Sequence, residues 1–162
     1  MKFSIACALA LLVACETSAP RESTAPPPAR GLAPTDELDR LDQRTPLPLL
    51  PLMADHQKRN MREHLAVVQQ IVAATAVGDF SKVQSAAQRI GYSESMAQMC
   101  EHMGAPTPGF TEQALGFHHT ADSIVSAAEQ RDANAVLTAL AETLATCTAC
   151  HARYKQSIVA KL

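Results

Sequence analysis

The sequence predicts an all-α protein, an antiparallel up-down four-helix bundle behind a proline-rich leader. Three observations predict it. From Leu52 onward apolar residues recur at intervals of three and four, the helical period. Each of those stretches is bounded by glycine, proline or aspartate, and none alternates with period two for long enough to be a strand. Eight of the ten prolines lie before residue 52, and the other two, Pro106 and Pro108, share one short segment.

The leader divides in two. Residues 1–14 carry Lys2 and then an apolar run through Ile5 and Ala8 to Val13. That is the length of a signal-peptide core, whereas a bilayer-spanning helix needs about 20 residues. The run closes on Leu12-Val13-Ala14-Cys15, which resembles the lipobox of bacterial lipoprotein signal peptides. The resemblance implies export, lipidation of Cys15 and anchorage to a bacterial membrane, with the rest of the chain in the periplasm or extracytoplasmic space. No segment after residue 14 reads as able to cross a bilayer. Residues 15–50 hold Pro, Ser, Thr and Glu with almost no apolar periodicity, and read as a disordered tether.

The domain is expected over 51–162. Pro51 suits the first position of a helix whose stripe is Met53, Gln57, Met61, Leu65, Val68, Ile71 or Val72 and Thr75, with Gly78 as its stop. Asp79 caps a second helix that turns Phe80, Val83, Ala86 or Ala87 and Ile90 inward. Gly91 interrupts that helix before Met96, Met99, Cys100 and Met103, and Gly104–Gly109 is a loop. A third helix from about Thr111 faces Ala114, Phe117, Ala121, Ile124 or Val125 and Ala128 to the core. Asp132 caps a fourth, striped by Val136, Leu140, Leu144, Cys147, His151, Tyr154 and Ile158. Short connections between four helices favour the antiparallel arrangement.

Charge and composition exclude several functions. A net charge of −2 offers no electrostatic footprint for nucleic acid. No P-loop, G-x-G-x-x-G or G-x-S-x-G occurs, and no paired carboxylates suggest hydrolysis, so the chain is not expected to be an enzyme. Five cysteines, an odd number, do not fit a framework of disulfides alone.

Two of the five carry most of the information. Cys147-Thr148-Ala149-Cys150-His151 is C-x-x-C-H, the attachment sequence for c-type haem. Two thiols one helical turn apart add across the two vinyl groups of a single haem. The next imidazole, His151, then falls under the porphyrin as the proximal iron ligand. A thioredoxin-like pair would sit at the start of a helix after a strand, and a zinc site would need a second ligand pair; neither is present. A structural disulfide is the remaining alternative.

The ending Cys147-Thr-Ala-Cys-His-Ala-Arg-Tyr-Lys155 resembles that of class II c-type cytochromes, the cytochrome c′ and cytochrome c-556 group, related in fold to cytochrome b-562. The resemblance is strong at this motif and only architectural over the rest of residues 50–162. It implies one covalently bound haem c in a four-helix bundle and a monohaem carrier of single electrons. It also implies redox partner proteins in or near the membrane, and homodimers are common in the group. A five-coordinate protein binding NO or CO is the second expectation. Lys155, one helical turn after His151, would be placed to meet a haem propionate.

The distal side of the iron is less determined. His151 lies eleven residues before Leu162 and Met61 ten residues after Pro51, so antiparallel first and last helices set them opposite each other. Met61 is therefore the expected distal ligand, with His64 and His56 as alternatives. The arginine that c-556 types carry four residues before this methionine is missing; Arg59 is two before.

Met96, Met99, Cys100, His102 and Met103 form a soft-ligand cluster that would suit copper, making a copper-binding helical lipoprotein the third expectation. The same spacing describes one helical face, and a buried Met-rich stripe is the preferred reading. His118 and His119 cannot both face inward.

Overall fold

The computed structural model describes residues 34–162; the signal segment, Cys15 and the tether as far as residue 33 lie outside the described residues. The chain divides into two units, one ending at Arg40 and the other running from Leu41 to Leu162. Helix α1 (Pro34–Leu41) is short, with Leu38 exposed and an Arg40–Glu37 ion pair of 2.8 Å across one turn.

The second unit is mostly helical. Strand β1 (Thr45–Leu49) leads into α2 (Pro51–Ala76), α3 (Phe80–Gln88), α4 (Glu94–Gly104), α5 (Phe110–Glu129), α6 (Ala133–Arg153) and strand β2 (Tyr154–Ile158). Pro51 opens α2, where a missing N–H costs nothing. At the other end Gly78, at φ 71°, takes the left-handed turn, and the Asp79 N–H returns to the Ala74 carbonyl at 2.9 Å. Asp79 then caps α3 by accepting from the Lys82 N–H. Asp132 caps α6 in the same manner, accepting from Asn134 and Ala135 at 2.9 and 3.0 Å.

Helix α5 packs along α6 and α3, and α3 packs on α2, whereas α2 touches α6 only lightly. Val67, Ile71, Val83, Ile90, Ile124 and Val136 form the centre of the larger core, each fully buried. A smaller core joins Leu47, Leu49, Ala54, Met103, Phe110 and Tyr154.

Several expectations need correction. The tether was expected to run to residue 50, but β1 belongs to the folded unit: Leu47 and Leu49 are 2% and 0% exposed. Its partner is the C-terminal segment. β1 and β2 pair in parallel with Thr45 opposite Tyr154 and Leu49 opposite Ile158, so the chain is not purely helical. Pro46 and Pro48 obscured the strand, since proline is absent from strand interiors; both belong to a two-stranded sheet in which every strand is an edge. The last helix was expected to reach Ile158 and stops at Arg153. Tyr154 leaves the helical path because its ring packs edge-on to Phe110, centroids 5.3 Å apart, and its hydroxyl donates to the Pro108 carbonyl at 3.2 Å.

The interruption expected at Gly91 is present and separates α3 from α4. Gly91 is buried where the chain crosses α5, and a Cβ there would overlap Asp122 Oδ1. That oxygen accepts from the Tyr92 N–H at 3.1 Å, and Ser93 restarts the helix by capping Met96. The stripe of α2 holds only in part: Gln57, Ile71 and Thr75 are buried as expected, and the rest of the buried face is shifted. Val67, Ile71 and Ala74 are buried, while Met61, Leu65 and Val72 are 41%, 68% and 47% exposed. Finally, α6 is long and apolar enough to cross a membrane by length and composition, against the sequence expectation. Its apolarity has a second source: Val136, Ala139, Leu140 and Thr143 are core residues of the helical unit.

Candidate functional site

The last two turns of α6 carry the motif. Cys147 and Cys150 are free, half-buried thiols. Cys147 packs against the larger core and Cys150 against the smaller, so the motif sits where the two meet. Burial pushes both thiols above the ordinary cysteine value, and Cys147 raises Cys150 further. His151 follows on the exposed side. Its backbone carbonyl, one of the last in α6, accepts from Arg44 Nη1 at 3.2 Å.

The surroundings suit a large apolar group. Leu137, Leu144 and His151 stand at intervals of seven along α6, and the two leucines are 46% and 39% exposed. On α2, Met61, Leu65 and Val72 form a second uncovered apolar edge. Helices α2 and α6, in slight contact, thus each keep an apolar edge in water, and the edge on α6 runs toward the motif. A haem fits that donor set and that surface.

The remaining expected residues fall as follows. Met61 lies on the exposed edge just described. His64 is half-buried against α5, its ring stacked on Phe117 at 4.7 Å and edge-on to His118 at 5.8 Å. Burial, then the neighbouring His118, lowers its pKa to about 4. His56 accepts from the Asn60 amide at 3.2 Å with its Nε2. The structure therefore commits His64 to α5 and His56 to its own helix.

Lys155 is not one helical turn beyond His151, because α6 has ended; it is the second residue of β2. Its ammonium donates to the Asp42 carbonyl at 3.0 Å and lies 3.6 Å from the Asp42 carboxylate. Asp42 also takes the Arg44 guanidinium in a fork, Nε to Oδ1 at 2.9 Å and Nη2 to Oδ2 at 2.8 Å, which holds its carboxyl well below the usual carboxylate range. Sequence reasoning missed Asp42 and Arg44 because they lie inside the segment read as tether. The only signal was opposite charges two residues apart.

The soft-ligand cluster is split. Cys100 and Met103 are buried, Met96 and Met99 are partly so, and His102 is exposed. Among the described residues no three His, Cys, Asp or Glu side chains converge as a metal site. Of the histidine pair, His118 is 3% exposed with its Nδ1–H on the Ile90 carbonyl at 2.8 Å, while His119 is exposed and stacks on Tyr92.

Residues 105–155 match the family model described as Cytochrome C′, a span that begins before α5 and ends in β2 and contains all three motif residues. No curated protein and no solved structure matches the chain.

Proposed function

We propose that this chain is a monohaem c-type cytochrome that transfers single electrons while tethered to a membrane through Cys15. In this reading α2, the α3–α4 pair, α5 and α6 are the arms of an antiparallel bundle around the haem. The observation that carries the reading is the C-x-x-C-H end of α6. It presents two half-buried thiols and an exposed imidazole on a helix that keeps Leu137 and Leu144 exposed, inside the segment that matches a haem-protein family. Bound haem supplies a reversible one-electron change at its iron. Cys147 and Cys150 would hold the group covalently, His151 would bind its iron, and the exposed Leu65 and Leu144 would offer it apolar surface. Met61 is the assigned distal ligand, since it stands on the uncovered edge of α2 whereas His64 is engaged by Phe117.

The second reading is an open sixth position that binds NO or CO, favoured by the description of the matching family model. In it Met61 is an apolar cover. Absorption spectra of chain matured with haem, oxidised and reduced, before and after CO, separate the two. A low-spin reduced spectrum indifferent to CO, and lost in Met61→Ala, supports the electron carrier. A high-spin spectrum that shifts with CO supports gas binding. Mature chain with no covalent haem would refute both.

A further inference from the structure

The strand β1, absent from the matched segment, brings a charged cluster to the back of the motif. Asp42 and Arg44 are separated from His151 by more than a hundred residues, yet Arg44 Nη1 donates to the His151 carbonyl at 3.2 Å. The β1–β2 pairing fixes this approach, because Thr45 sits opposite Tyr154 just beyond both partners. Asp42 orients the arginine through three hydrogen bonds, two to its side chain and one to its backbone N–H at 3.1 Å. Only the remaining arm of the fork is left to reach the helix end. A cation there also meets the negative end of the α6 dipole. Asp42, Arg44 and Lys155 together carry one net positive charge.

We infer that the Asp42–Arg44 pair positions His151 and, through the net charge of its cluster, sets the reduction potential of the iron that His151 would hold. The inference rests on the haem reading above. Ferrous iron carries one positive charge fewer than ferric, so adding a fixed positive charge near the proximal ligand favours the reduced state and removing one favours the oxidised state. Neutralising Asp42 and neutralising Arg44 therefore act in opposite directions. If the pair merely held the chain together, both losses would loosen the same contact and move the potential the same way.

The test is a redox titration of full-length chain matured with haem, as wild type, Asp42→Asn, Arg44→Gln and Arg44→Lys. At an ambient potential equal to the wild-type midpoint, Asp42→Asn is expected to raise the ferrous-to-ferric ratio by about threefold to tenfold, and Arg44→Gln to lower it similarly. A tenfold change is about 59 mV for one electron. Arg44→Lys keeps the charge and is expected to stay within about twofold. Shifts of the same sign, or no shift, in variants whose covalent haem and far-UV circular dichroism match wild type would overturn the inference while leaving the haem reading intact. Wild-type chain without covalent haem would refute that reading first, and this inference with it.

Discussion

Replacing Leu49 by alanine tests whether the folded unit begins before the first long helix. Leu49 is fully buried in β1, in one cluster with Leu47, Ala54, Met103, Phe110 and Tyr154. The substitution removes three carbons, worth about 2.4 kcal/mol at about 0.8 kcal/mol each. A cavity term adds to this where the surrounding core cannot collapse into the space. The expected loss is about 2.5–4 kcal/mol. Urea unfolding followed by far-UV circular dichroism reads it as a lower midpoint at unchanged slope. Leu38→Ala is the control, because Leu38 is 68% exposed on α1 and its loss should stay within about 0.5 kcal/mol. Equal, small effects for both leucines would refute the placement of β1 in the core and return the boundary to residue 50.

Two further outcomes follow from individual contacts. Gly91→Ala should cost about 1 kcal/mol by pushing Asp122 off the Tyr92 N–H, and little more in a chain that already carries Asp122→Ala; additive losses in that double-mutant cycle would contradict the contact. His64, with a pKa of about 4, and His118, also lowered by burial, stay neutral in the fold, whereas the unfolded chain protonates both near 6.5. Proton uptake by the unfolded state then erodes stability as pH falls from about 6.5 toward 4, and stability is complete above that window. Unfolding of haem-free chain across pH 4–7.5 should show this slope, and His64→Phe should flatten it; an unchanged slope in the variant would place the effect elsewhere.

Much of the helical unit was legible in the sequence, because local chemistry decides where helices start and stop. Pro51, Gly78, Asp79 and Asp132 take the roles expected of them. The motif was equally legible, since C-x-x-C-H draws its geometry from a single helix turn and needs no distant partner. The inward faces of α3 and α5 also follow the expected residues, with Val83, Ala86, Phe117, Ala121 and Ile124 buried.

What only the tertiary structure decided are the places where two distant segments meet. The composition of Thr45–Leu49 reads as linker, and it becomes a strand only because Tyr154–Ile158 lies beside it and Tyr154 anchors on Phe110 and Pro108. The break between α3 and α4 is marked in the sequence by Gly91, but its partner, Asp122 of α5, lies thirty residues from Tyr92 and only packing brings it there. The face of α2 was legible at Gln57, Ile71 and Thr75 and shifted elsewhere, because periodicity reports which residues are apolar, not which neighbour covers them: Val67 and Ala74 enter the core, and Met61 and Leu65 remain in water. Periodicity and capping are properties of a few consecutive residues, and so the sequence settled them. Strand partners, the turn of a helix about its axis and the reach of Arg44 to His151 are properties of distant residues, some more than a hundred positions apart, and packing alone brings those together.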